Sequence, residues 1–342
     1  MSKKRFFMIL LVILLITILT LLFSYNKREV QEVIENNYKN DDNLIKNYAK
    51  NNQIEYLSES TGQYLYYLLL VKDEKEFKQQ VDSLKNNFIV KRSDGTYIKW
   101  TTSDQTTTNA SVDDFRIIEV LRKGGKYFQE PDYVILANEL EETLNSKQLT
   151  DGLIVDFYDW ELQKKATTVH LSYINDQIIK GNARVDPADY QKLLAGSTNS
   201  QNPFFKEIYT VDKHSYLSAD KNTVNMIDQF MIAIQYLKFM NQVPPEFDQW
   251  VKQEWDTNGK LFGGYVKSTR TPAVPYESSA VYALAYLYFK QANEEKYADE
   301  LYAMILTQPS FDKNPDYSKI HFFDYIWIET ANAIYKTRDK TQ

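Results

Sequence analysis

Three acidic segments stand where apolar helices are about to begin. Glu59 lies in Ser58-Glu59-Ser60-Thr61-Gly62-Gln63-Tyr64, the pair Asp113 and Asp114 in Asn109-Ala110-Ser111-Val112-Asp113-Asp114, and Asp228 in Asn222-Thr223-Val224-Asn225-Met226-Ile227-Asp228-Gln229. Separated carboxyl groups of this kind suit glycosidic bond cleavage. Inverting hydrolysis needs one acid to protonate the leaving oxygen and a second carboxylate, roughly 6.5–9.5 Å away, to activate water. Each acid also has a plainer reading. Ser111 with Asp114 spells a capping box, and Glu59 beside a helix N-terminus gains from the helix dipole. Near neutral pH a general acid must be buried or set beside another carboxylate, and Asp114 could be that neighbour of Glu59. Asn225, Asp228, Ile232 and Gln235 trace a mostly polar stripe on an apolar helix, as either a solvated face or a cleft wall would.

The elements that must position these acids are helices. Helical periodicity recurs over 63–72, 74–87, 112–123, 133–144, 187–194, 223–240, 246–255, 278–291, 296–306 and 322–336, with one or two amphipathic helices in 29–50. Residues 88–100, with Ser93-Asp94-Gly95 as a turn, read as a β-hairpin, and 153–160 as an extended segment. Helices paired through short loops, with no strand–helix alternation, predict an all-α, α/α architecture. The longest loop is expected at 197–202, and no Pro/Gly/Ser linker divides the chain, so 27–342 reads as one domain.

Ahead of it, Phe6 to Phe23 is an unbroken apolar or Thr-containing run, close to the roughly 20 residues that cross a hydrocarbon core. Lys3, Lys4 and Arg5 precede the run, which predicts a single-pass anchor in 1–26 with the remainder outside the cell membrane. The chain has no Cys, so neither disulfides nor thiolate chemistry nor lipid attachment at a cysteine enters. A net charge of −6 without a basic patch argues against nucleic acid as a partner.

The acidic segments resemble those of glycoside hydrolase family 8. Residues 58–64 are similar to that family's Ser-Glu-Gly-x-Gly-Tyr-Gly segment, in which Glu is the general acid, and 109–114 to its Ala-Thr-Asp-x-Asp segment, whose second Asp binds and distorts the sugar. The resemblance therefore implies that Glu59 is the acid and Asp114 the sugar-distorting residue. Leu171-Ser172-Tyr173-Ile174 resembles the family's Asn-Pro-Ser-Tyr, and Pro275-Tyr276-Glu277-Ser278 a late helix of membrane-bound bacterial members. Over residues 50–336 it implies an (α/α)6 six-hairpin barrel with an open cleft at one end, an inverting mechanism and a β-linked polysaccharide substrate. Relatives of the anchored type are associated with exopolysaccharide operons, which implies a polysaccharide synthase complex as a further partner. The family's base segment, Asp-Ala-x-Arg-x-Pro-Trp-Arg, is not preserved over 222–233. That leaves Asp228, or else Asp220, as the base.

The remaining candidates for sugar binding are Tyr64, Trp100, Trp160 and Tyr276 as aromatic platforms, with Asp113, Arg116, Tyr173, Asp220, Asn225 and Glu277 as polar contacts. His170, His214 and His321 are the only histidines and show no zinc spacing, and no phosphate-binding glycine loop is present, so neither metal nor cofactor is expected. Two other functions fit the same residues. One is a polysaccharide lyase with Tyr173 or His170 as base. The other is a non-catalytic polysaccharide-binding partner of a synthase.

Overall fold

The computed structural model describes residues 29–50 and 54–338. The membrane anchor expected over 6–23 lies outside them. Among the described residues no helix is long and apolar enough to cross a membrane.

Six inner elements close a ring. They are α1 (Ser58–Leu70), α3 (Ser111–Tyr127), the segment from Leu171–Tyr173 into α5 (Asp176–Gly181), α7 (Met226–Met240), α9 (Ser279–Gln291) and α11 (Phe322–Arg338), each packed on the next and α11 back on α1. Outside them lie α2 (Glu74–Asn87), α4 (Pro131–Lys147), α6 (Pro187–Gly196), α8 (Pro245–Asn258) and α10 (Glu295–Ile305). The N-terminal segment completes the sixth hairpin against α11. Tyr38 stacks on Tyr325 at 5.5 Å and donates to the carbonyl of Ile320 at 3.0 Å.

Composition sorts inner from outer. In α9 the run Ala280-Val281-Tyr282-Ala283-Leu284-Ala285-Tyr286 is buried on every side, as an element walled in by neighbours must be. Helix α2 instead keeps Phe77, Val81 and Leu84 inside and turns its lysines outward. Three outer helices, α4, α6 and α8, start on a proline at the first helical position, where the missing N–H costs nothing.

The strands are short and serve the loops. The hairpin of β1 (Ile89–Arg92) and β2 (Gly95–Ile98) pairs Ile89 with Ile98. Beyond that single hairpin, there are also β3 (Leu149–Thr150) with β4 (Leu153–Ile154) and β5 (Tyr158–Asp159) with β6 (Lys164–Lys165). A three-stranded sheet joins β7 (Thr168–His170), β8 (Ile208–Thr210) and β9 (Ser215–Leu217), and β10 (Thr223–Asn225) pairs with β11 (Gly264–Val266). Strand β7 delivers the chain to Leu171–Tyr173 and β10 to α7, so these sheets frame the end of the barrel where those two inner elements begin.

Candidate active site

Tyr173 marks the centre of the acidic end. Burial first, and then the charges of Asp156, Asp113, Asp228 and Glu59, push its phenol up to about 12. All three acidic helix entrances thus bear electrostatically on this one residue. Glu59 and Asp228 are both half-buried in the first turns of α1 and α7.

Asp113 is buried, and its carboxyl is raised to about 7 by desolvation and by the charge of Glu59. Arg116 and Ser58 oppose the rise, donating to it at 3.0 Å and 3.1 Å. Asp114 is turned elsewhere. Its carboxyl accepts from Asn109 at 2.5 Å, and Asn109 is itself fixed by Gln148 and by the backbone N–H of Tyr158. Burial holds Asp114 well above the usual carboxylate range. The expected neighbour of Glu59 is therefore Asp113 and not Asp114. The capping box does not form either, because Ala110 is the cap residue of α3 and no side chain caps it.

Asp228 is raised by burial, against a hydrogen bond from Ser172 and the charge of His170. His170 stacks on Tyr173 with ring centroids 4.9 Å apart and meets Asp156 at 2.7 Å through Nδ1. Burial works to lower the imidazole, but Asp156, Asp228 and Glu207 outweigh it and hold His170 above its ordinary value. Asp156 also accepts from the N–H of His170 and from Thr168, so its carboxylate organises β7 behind the Tyr173 ring. Asp156 and Glu207 carry no motif in the sequence and become visible only when β7 and β8 pair.

The other candidates separate by surroundings. Trp100 is exposed, and its carbonyl accepts from the N–H of Ser58 at 3.1 Å, which ties its backbone to the start of α1. Tyr64 is not a platform. It is 1% exposed and packs against Tyr67 and Phe322, because that face of α1 points into the core. Trp160 is likewise buried, with Tyr97 and Tyr158. Asp220 caps its own turn, its Oδ1 accepting from Asn222 and Thr223, which lowers its pKa. Asn225 caps α7 through the N–H of Ile227. Glu277 pairs with Lys260 and Tyr282, and Tyr276 is exposed over Gly263. His321 and Asp324 open α11 on this side. The imidazole of His321 is lowered by burial against the charges of Asp324, Glu59 and Glu55. Among the described residues no group of acids and histidines is arranged to hold a metal ion.

A ring of six helical hairpins with carboxyl groups gathered at one end defines a six-hairpin α/α barrel. "Putative lipoprotein YdaJ" of Bacillus subtilis (strain 168) is 32% identical over 266 residues, 76% of this chain and 72% of its own. The structure is similar to PssZ from Listeria monocytogenes, with a TM-score of 0.82 and 36% identity over 89% of this chain and 94% of that one. It also resembles a novel α-amylase from Clostridium perfringens (TM-score 0.77, 16% identity, covering 90% and 96%). Endoglucanase Cel10 of Klebsiella pneumoniae, a family 8 glycosyl hydrolase, shares the fold at a TM-score of 0.66 and 14% identity, covering 91% and 100%. No family model matches the chain. The chain belongs to the same family as YdaJ and PssZ.

Proposed function

We propose that this protein is a membrane-tethered, extracytoplasmic glycoside hydrolase that cleaves an uncharged polysaccharide by single displacement. The observation that carries the reading is that Glu59, Asp113 and Asp228 stand in the first turns of three inner helices and all bear electrostatically on Tyr173. Glu59 gives its proton to the leaving glycosidic oxygen as the bond to the anomeric carbon breaks. Water attacks that carbon from the opposite face and passes its proton to Asp228. Asp113, held by Ser58 and Arg116, binds a sugar hydroxyl at the cleavage point and takes the place that the sequence resemblance gave to Asp114. Trp100, exposed and tied by its backbone to Ser58, offers a stacking face at this end of the barrel.

The electrostatics of this end argue for a neutral substrate and against a lyase. An acidic sugar would approach Asp113, Asp156, Asp228 and Glu59 together, and the nearby Arg116 is already paired with Asp113. The tether is read from the apolar run Phe6 to Phe23 and from the lipoprotein name of the Bacillus subtilis relative. Since the chain has no Cys, the hydrophobic run and not a thioether-linked lipid would hold it.

The full chain in mild detergent should release new reducing ends from at least one polymer in a panel of lichenan, xylan, starch and the native host's own extracellular polysaccharide. Glu59→Gln and Asp228→Asn should each lower that release by about 100-fold or more. Unchanged release by either variant would remove its residue from the mechanism. An ultraviolet-absorbing unsaturated product would turn the assignment to a lyase.

A further inference from the structure

The two ends of the barrel are built differently. Where the inner elements start, they are entered through the long segments 88–110, 148–170, 197–225 and 259–278, which hold all the strands. At the far end α1 turns into α2, α3 into α4, α7 into α8 and α9 into α10 through three or four residues each. The acids and the loops that frame them therefore occupy one end, the cleft end.

The N-terminal segment joins the barrel at the far end. The side chain of Gln31 donates to Asp73, the cap residue between α1 and α2. From there the chain climbs past α2, where Ser83 donates to the carbonyl of Asp42 at 3.1 Å, and reaches the start of α11, where the rings of Tyr48 and His321 meet with centroids 4.7 Å apart. Only then does it turn into α1 and Glu59. Gln31 thus stands level with the end of α1, whereas Glu59 lies in its first turn. Helix α1 has 13 residues, which separates the two levels by about 18 Å along its axis.

Given the membrane tether proposed above, on which the orientation of the barrel rests, chain length decides which end meets the lipid. Five residues separate Phe23, the last of the apolar run, from Glu29. Fully stretched, those six steps reach at most about 20–22 Å. With the cleft end turned to the membrane they would have to cross about 5–7 Å of headgroups and then about 18 Å of barrel, roughly 25 Å in all. With the far end turned to the membrane, the headgroup layer alone has to be crossed. We propose that the short tether holds the far end of the barrel on the membrane and points the cleft away from it, so that polymer reaches the acids from the side opposite the lipid surface.

The chain has no Cys, so Lys126→Cys and Gln242→Cys at the far end, and Gln105→Cys and Lys221→Cys at the cleft end, each give one thiol at an exposed position. The full chain is incorporated into vesicles of phosphatidylethanolamine and phosphatidylglycerol whose headgroups carry an acceptor, and is then labelled from outside with an impermeant donor dye. Resonance energy transfer to the membrane should run about fivefold or more faster from the far-end dyes than from the cleft-end dyes, given the separation of about 18 Å. Inserting about twenty Gly and Ser residues after Asn26 should bring the two within about twofold, because a long flexible linker frees the orientation. Equal transfer from both ends of the chain without the insertion would mean that the barrel lies along the membrane and would overturn the proposal. Faster transfer from the cleft end, or a difference that survives the insertion, would overturn it as well. A chain that fails to float with the vesicles would sink the tether reading and the orientation together, whereas one that floats with the opposite difference loses the orientation alone. No turnover is read, so neither result bears on hydrolysis.

Discussion

Asp113 and Asp114 are chain neighbours with opposite surroundings. On a helix of 3.6 residues per turn, adjacent side chains diverge by about 100°, so only one of the two can share a face with Glu59. That one is Asp113, bonded to Ser58 and Arg116, while Asp114 is walled in with Asn109 and Gln148. Burial lifts the Asp114 carboxyl well above the usual carboxylate range and so favours its neutral form, which an amide resembles. Asp114→Asn should therefore leave kcat/KM within about threefold, whereas Asp113→Asn should lower it by about 100-fold, measured as reducing-end release on the cognate polymer. Equal losses in both, with both variants folded, would return the sugar-binding role to Asp114. The sequence pointed to this pair of acids but could not choose between them, because the choice depends on how α3 is rotated against α1. Similar limits explain Tyr64 and Trp100. Both are aromatics close to Glu59, and only packing tells that the first meets Phe322 in the core and the second meets solvent.

At the scale of elements, the inner helices are set close to their outer partners by small residues. A Cβ on Gly124 of α3 would fall 2.4 Å from Cζ of Phe77 on α2, a distance at which something must shift. Phe77 is fully buried and wedged against Phe128 at 5.2 Å and Tyr133 at 5.8 Å, so the ring has little room to retreat. Alanine has the better helix propensity by about 1 kcal/mol. Overpacking should nevertheless win, and Gly124→Ala should destabilise the fold by about 1–3 kcal/mol in urea unfolding. A gain in stability would mean that α2 and α3 move apart freely. Helix periodicity was readable wherever burial is one-sided: 74–87 matches α2 end to end, and 187–194 falls inside α6. Strands of two to four residues give no alternation to detect, which is why most of the small sheets, and the place of 223–225 in β10 instead of in α7, emerge only from the fold. The six-residue α5 is hidden for the same reason.

On the scale of the whole molecule, closing the ring forces α11 to bury an acid where it meets the N-terminal segment. Glu329 is 7% exposed, accepts from Asn332 at 3.2 Å, and is raised by desolvation from an ordinary value of 4.5 to about 7. Its charge bears on Tyr67 of α1 as well as on Tyr317 and Tyr325, so it stands at the seam between the first and last hairpins. The sign of its effect follows from proton binding. Between pH 4.5 and about 7 the folded chain holds this proton and the unfolded chain has released it, so raising the pH favours unfolding. The stabilisation is complete below the unfolded value and is lost as pH climbs through the folded one. The gap between the two values corresponds to roughly 3 kcal/mol. Glu329→Gln keeps an acceptor for Asn332 and removes the titration. Its stability relative to wild type should therefore grow between pH 5 and pH 8 by an amount of that order, measured by urea unfolding at each pH. If the two proteins lose stability in parallel over that range, Glu329 is not the group that makes the closed ring sensitive to pH.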